Sequence, residues 1–293
     1  MVRNDSVPSK IFDVFNVVFL ILFTVVTILP FVYVIASSFA SQAEIATRPF
    51  FLFPREPTLD AYSYIFTSRL LPRAFWMSIL ITVVGTLVSM FFTVTFAYPL
   101  SRKYLVGRNV LLSLVIFTML FNGGMIPTFL LIRALGLLDN FWAMILPGAI
   151  SVWNLIVLKN FFQAIPQELE DSARIDGASD LTVFVRIVIP LSTAAIATFS
   201  LFYAVGYWNS FRPALLYLPS APDLWPLQLV LRNIVIMAAG RIDDANWDPA
   251  MVMPPADSIR NAVIVVATVP ILLVYPFIQK HFTKGVMIGA IKG

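Results

Sequence analysis

The residues whose types and spacing promise chemistry concentrate between Lys159 and Pro190, in the run KNFFQAIPQELEDSARIDGASDLTVFVRIVIP, which holds five of the chain's sixteen acids. No nucleophile or metal site accompanies them. The chain has no cysteine and one histidine, His281, so thiol nucleophiles, disulfides, thiolate metal sites and histidine zinc clusters are all excluded. What the spacing offers is a charged surface on a fixed corner. Pro166 suits the first turn of a helix, Glu168, Glu170 and Asp171 lie near that helix's positive end, and Gly177 is placed to end it in a left-handed cap. Ser179 can cap a second short helix running into Pro190. Glu170 and Arg174 stand four apart in the favoured order, which predicts an intrahelical pair worth a few tenths of a kcal/mol. Asp171 and Asp176 have no evident local cation, so this face suits a basic groove on a partner, or else is simply solvated.

A second set is uncharged: Asn122 with Gly123 and Gly124, then Asn154, then Tyr203, Tyr207, Trp208 and Asn209. Amides donate to and accept from hydroxyls, aromatic faces cover the apolar side of a sugar ring, and a Gly-Gly pair before Pro127 frees backbone groups that only a lined cavity can satisfy. These are the parts of a path for a neutral or polyhydroxylated solute. The competing reading is helix packing, in which small residues allow close approach and Asn bonds across a bundle.

The elements that must position both sets are set by the solvent. The chain of 293 residues is 59% hydrophobic and 12% charged, with mean hydropathy +0.86. Soluble domains run near 45–50% apolar and about 25% charged, so much of this chain is solvated by lipid. Apolar runs at 14–39, 75–100, 110–132, 140–158, 188–215 and 261–278 are each long enough to cross about 30 Å of hydrocarbon. The first, though trailed by small residues, is far longer than the 7–15 residues of a signal-peptide core, and reads as an uncleaved anchor. The expected fold class is therefore an all-α membrane protein, a single transmembrane domain of six helices with no room for a catalytic domain. Near the span centres there is no Asp, Glu, Lys, Arg or His, which removes the machinery of proton coupling and intramembrane hydrolysis.

Orientation follows from the short loops. Residues 101–109 carry Arg102, Lys103 and Arg108 without an acid, and the tail 279–293 carries Lys280, Lys284 and Lys292 without an acid. Both belong inside, which places the N-terminus and the loop 159–187 inside as well. The twenty Lys and Arg form no basic run, so the net charge of +4 orients loops in the lipid bilayer and does not point to nucleic acid. Outside, Tyr62, Tyr64 and Phe66 suggest a short interfacial helix, residues 227–237 an amphipathic one, and Asp243, Asp244 and Asp248 an acidic turn. Arg48, Arg55, Arg69, Arg73, Arg212 and Arg232 are outer cations available either to headgroups or to an anionic solute.

The stretch from Glu168 to Pro190 resembles the EAA loop of binding-protein-dependent ABC importer permeases, whose carbohydrate branch runs roughly E-L-E-E-A-A-x-x-D-G-A followed, after eleven residues, by Pro. Glu168, Leu169, Glu170, Ala173, Asp176, Gly177, Ala178 and Pro190 stand in register, with Asp171 and Ser172 departing at the name-giving positions. NGGMIPTFLLIRALGLLDN, YWNSFRPALLYL, PLQLVLRNI and KHFTKGVMIGAIKG are similar to permeases of the maltose-importer class, including those of alginate-oligosaccharide importers.

This resemblance implies an ABC importer permease fold with a cytoplasmic coupling helix. The implied partners are a second, related permease, two ATPase subunits and an extracytoplasmic solute-binding protein, with an oligosaccharide as cargo. ATP and Mg would sit on the ATPase, with no cofactor or metal and no catalytic residue in this chain. Glu168, Glu170, Asp171, Ala173, Arg174, Asp176, Gly177 and Ala178 would then form the ATPase-coupling surface, and the last residues, 284–293, would reach toward the ATPase. A non-sugar ABC cargo, a secondary carrier and a membrane-embedded enzyme are the alternatives.

Overall fold

A computed structural model of the protein describes the backbone of residues 7–238 and 257–290 and the side chains of residues 7–236 and 257–273. Among the described residues every regular element is helical. The chain divides into two compact units, Met1–Arg69 with Leu231–Thr268, and Leu70–Val230 with Val269–Gly293.

The first unit opens with α1, Val7–Ser38, 32 residues long and so about 48 Å at 1.5 Å per residue. Apolar side chains surround it on every side, and only its last residues, Ala36, Ser37 and Ser38, are buried. Its two mid-helix hydroxyls are closed internally: Thr24 donates to the Leu20 carbonyl and Thr27 to that of Phe23. A helix whose surface is apolar all round and whose hydroxyls are satisfied within it is built for hydrocarbon. Two short helices follow, α2 (Gln42–Thr47) and α3 (Asp60–Thr67). The latter carries Tyr62, Tyr64 and Phe66, as the aromatic spacing predicts.

The second unit is organised on α4, Leu70–Ser101, again 32 residues and long and apolar enough to span. The runs predicted as spans at 110–132, 140–158 and 188–215 are each broken into a bent pair. The first becomes α5 (Arg108–Leu120) and α6 (Met125–Ala134), bent by 113°. Asn122, Gly123 and Gly124 stand at that bend: Gly124 takes φ +93° and donates its N–H to Asn122 Oδ1 at 2.8 Å, a side-chain bond that replaces the helical one.

The second run becomes 3₁₀ turns at Phe141–Met144 and Leu146–Gly148, the latter holding Pro147 and Gly148 just before the break, then α7 (Val152–Gln163), bent by 53°. After α8 (Gln167–Ile175) and α9 (Asp180–Val183) come a π-helical turn at Phe184–Val188 and α10 (Ile189–Leu191). A 79° bend then leads into α11 (Thr193–Trp208). Pro190, which cannot continue a helical ladder unbroken, sits at that bend. Residues 209–211 separate α11 from α12 (Arg212–Tyr217), so the run 188–215 ends seven residues early as continuous helix.

After a 3₁₀ turn at Pro222–Leu224, two further α-helices stand among the described residues. The expected amphipathic segment is α13, Leu227–Ala238. α14, Asp257–Ala290, passes beyond residue 278, where the sequence reading had ended its last span. The acidic turn Asp243, Asp244 and Asp248, the side chains of the basic segment after Ile278 and residues 291–293 lie outside the described residues.

Lipid tails are as apolar as leucine, so packing and hydrogen bonds must hold α4, α7 and α11 together. Met90, Val94, Leu155, Leu158, Phe162, Val188 and Phe199 interlock in the core of this unit. Gly85 lets α11 approach closely: a Cβ there would lie 2.8 Å from the Tyr207 ring. Thr93 and Ser89 of α4 hydrogen-bond to the hydroxyls of Tyr203 (2.7 Å) and Tyr207 (2.9 Å).

Candidate functional site

The glycine corner forms as local rules predict. Pro166 immediately precedes α8, Asp176 caps its C-terminus, and Gly177 turns left-handed at φ +85°. The amide of Gly177 donates to the Arg174 carbonyl (3.0 Å) and that of Ala178 to the Ala173 carbonyl (2.9 Å), which is the paired bonding of a Schellman cap. Ser179 accepts from the Thr182 amide and starts α9. The loop is thus a helix, a left-handed corner and a second helix.

Its charges pair differently from the sequence reading. The expected Glu170–Arg174 pair does not form. Glu170 turns inward and makes a buried ion pair with Arg102, just past the end of α4. Arg174 instead meets Asp180 at 2.9 Å and the Tyr104 hydroxyl at 2.7 Å, and the hydrogen bond to Asp180 is the largest cause holding its pKa above the ordinary value. Asp171, read as lacking a local cation, lies 3.8 Å from Arg174, a loose and exposed pairing. Ala173 and Ala178 pack against the core. Glu168, Asp171 and Asp176 are exposed, together with Ile175 and Leu181. The face presented outward is therefore acidic and apolar, with Glu170 removed from it.

Arg102, Tyr98 and Tyr104 were missed as site residues. Arg102 had a signal only in the cation count of residues 101–109, the two tyrosines had none, and nothing local relates any of them to residues some seventy or more positions later. Arg108 also reaches Gln163, at 3.4 Å, so the 101–108 loop and the corner lie at one end of this unit. At another place, the Asp139 carboxylate accepts from the Ser220 amide at 2.8 Å, and Arg73 pairs with Asp223.

The uncharged set is brought together only in part. A cavity of about 1410 Å³, counted with its open side, is lined by residues that include Asn122, Asn154, Tyr203 and Tyr207. Gly123 and Gly124 build the bend beside Asn122 and do not line it. Trp208 points elsewhere: its ring meets Phe75 edge-on at 6.0 Å and borders a separate apolar groove. Asn209 bonds back to the Val205 carbonyl of its own helix. The reason is register, since Tyr203 and Tyr207 are four apart and share a helix face while Trp208 lies one position further round.

Ser151, Phe202, Ser210 and Tyr217 also line the cavity, and no pattern in the sequence marked them. The hydroxyls of Tyr203 and Tyr207 are already engaged. That of Tyr203 accepts the Ser151 amide at 2.9 Å and bonds Thr93, so these tyrosines offer mainly ring surface to a solute. Among the described lining residues none is charged. Two of the six outer arginines are also matched, Arg48 by Glu44 and Arg73 by Asp223.

Long apolar helices, apolar runs broken around an uncharged polar cavity and a charged glycine corner are the build of a membrane protein. No family model matches the chain. It is 56% identical over 291 residues, 99% of its length, to protein LplC of Bacillus subtilis, covering 98% of that protein. It is 53% identical to the polygalacturonan/rhamnogalacturonan transport system permease protein YtcP of the same organism, over 97% of this chain and 99% of that one.

Among solved structures, a chain of a bacterial ABC transporter involved in the import of the acidic polysaccharide alginate superposes with a TM-score of 0.86 at 33% identity, over 95% of this chain and 99% of the other. The protein belongs to the permease subunits of carbohydrate ABC importers.

Proposed function

We propose that this chain is one permease subunit of an ATP-driven importer that moves oligosaccharides, uronic-acid oligomers among them, across the bacterial inner membrane by alternating access. The observation that carries the reading is full-length identity above 50% to a permease named for polygalacturonan and rhamnogalacturonan transport, joined to an uncharged cavity of Asn, Ser and aromatic side chains suited to sugar hydroxyls and ring faces. In this reading the whole chain is one transmembrane domain of six spans, with both termini in the cytoplasm.

The corner at Gly177 is the coupling element. Its outward acids, Glu168, Asp171 and Asp176, and the apolar Ile175 and Leu181 would seat in a groove on an ATPase. The contacts of Arg102 and Arg108 with the corner and with α7 support one shared side for the two basic and acidic loops, the side the cation rule assigns to the cytoplasm. A second permease would complete the cavity, an extracytoplasmic binding protein would deliver the sugar, and ATP with Mg would act on the two ATPase subunits. A solved alginate ABC transporter in complex with a periplasmic protein carrying an alginate pentasaccharide shares the fold, with a TM-score of 0.57 at 15% identity.

The test is purification of the tagged chain from its native membranes in mild detergent. An ATPase and a second permease are expected to co-elute in comparable amounts. Elution of the chain alone, with no ATPase recovered after cross-linking, contradicts the proposal.

A further inference from the structure

We infer that Arg102 and Glu170 form an internal strut that makes the glycine corner and α4 move as one body, so that Glu170 is a positioning residue and not part of the ATPase-facing surface; the inference rests on the coupling role proposed above. Arg102 is 8% exposed and Glu170 1%. Desolvating two charges takes back most of what their attraction provides, and an apolar pair of the same volume often stabilises as well. Fold stability alone therefore does not account for ions at this place. What an ion pair supplies and an apolar pair does not is a directional link.

The surroundings make the link specific. The Arg102 guanidinium lies 4.7 Å from the centroid of the Tyr98 ring, one turn earlier on α4, and the Tyr98 ring packs against Phe184 at a 30° tilt with centroids 4.6 Å apart. The Tyr98 hydroxyl reaches the Asp180 carbonyl at 3.4 Å. The end of α4 thus holds both arms of the corner, α8 through Arg102 and the α9 side through Tyr98. The other Arg102 donors, Nε and Nη2, are buried without a hydrogen-bond acceptor among the described residues, and Glu170 Oε1 meets Arg102 as an ion contact, so Arg102's own hold on α8 is Glu170, beside the separate and more exposed bond from Arg174 to Tyr104.

About nine residues back along α4, roughly 13 Å at 1.5 Å per residue, Thr93 holds Tyr203, and Ser89 one turn further holds Tyr207, both on the cavity wall. A displacement of α8 is handed to α4 at Arg102 and reaches the wall through those hydroxyls.

The chain has no cysteine, which permits paired nitroxide labels at Val106→Cys and Ile175→Cys, positions 94% and 86% exposed. The full chain is expected to give one narrow distance distribution, and Glu170→Gln a broadened or two-population one. In the assembled transporter Glu170→Gln should lower solute moved per ATP hydrolysed by about tenfold, the size expected for losing one charge-assisted bond. Normalising to folded complex separates this from a lower yield.

Should Glu170→Gln not fold, the double variant Arg102→Met/Glu170→Met leaves no lone buried charge and must show the same broadening and uncoupling. A narrow distribution in whichever variant folds overturns the strut. Broadening with unchanged solute per ATP overturns its part in coupling. Absence of ATP-driven uptake by the parent overturns the proposed function and leaves the distance measurement to decide the strut by itself.

Discussion

Gly177→Val is expected to leave membrane insertion and the amount of folded protein near the parent level and to abolish solute uptake and solute-stimulated ATP hydrolysis. The glycine sits at φ +85° with open space where a side chain would go, so the substitution creates no clash. The penalty is conformational: a β-branched residue in the left-handed region is strained by about 1–3 kcal/mol. That is small against global stability but enough to unwind the last turn of α8, which is held by the two corner bonds from the Gly177 and Ala178 amides. Once the corner opens, Asp171 and Asp176 no longer present a fixed face. Gly177→Asn, which tolerates this conformation, should retain most uptake. Reconstituted uptake and ATPase assays on both variants check the claim, and a fully coupled Gly177→Val protein removes the corner from the mechanism.

Tyr203→Ala should be the most destabilising single change within the cavity wall. Truncating a buried aromatic costs about 3–5 kcal/mol, and here it also strands the Ser151 amide and Thr93. Tyr203→Phe separates the two contributions, because it keeps the ring and loses only the hydroxyl, worth roughly 1–2 kcal/mol within a membrane bundle. In thermal unfolding of the detergent-solubilised chain, Ala should lower the midpoint several times more than Phe. Equal shifts would mean that the hydroxyl, and not the ring, carries the contact.

The two sites differ in how much of them was legible in the sequence. The corner follows local rules: Pro before a helix, Gly at a left-handed cap and Ser before a short helix each act within a few residues, and all three stand where their chemistry placed them. The sense of the charges did not follow. An i,i+4 pairing of Glu170 with Arg174 is worth a few tenths of a kcal/mol, and it is displaced by a buried partner, Arg102, that lies sixty-eight positions away and is brought near only by the packing of α4.

The spans show the same limit. Apolar length announces a crossing, but three of those runs are bent pairs, broken at Asn122-Gly123-Gly124, just after Pro147-Gly148 and just after Pro190. A window average cannot register a break of four residues or fewer. In the cavity, amide and aromatic content pointed to Asn122, Asn154, Tyr203 and Tyr207, whereas Trp208 and Asn209 share their segment but not their helix face. Ser151 and Tyr217 were invisible because neither is unusual for a membrane helix or its end.

The energy source separates an ATP-driven importer from a secondary carrier. The most direct measurement is uptake of labelled oligogalacturonide into proteoliposomes that hold the complete transporter with its binding protein outside and ATP with Mg within. Uptake should require the nucleotide, stop with a non-hydrolysable analogue, and continue when a protonophore dissipates the proton gradient while ATP is held constant. Uptake that collapses with the protonophore at constant ATP, or proceeds without nucleotide, would contradict ATP-driven import.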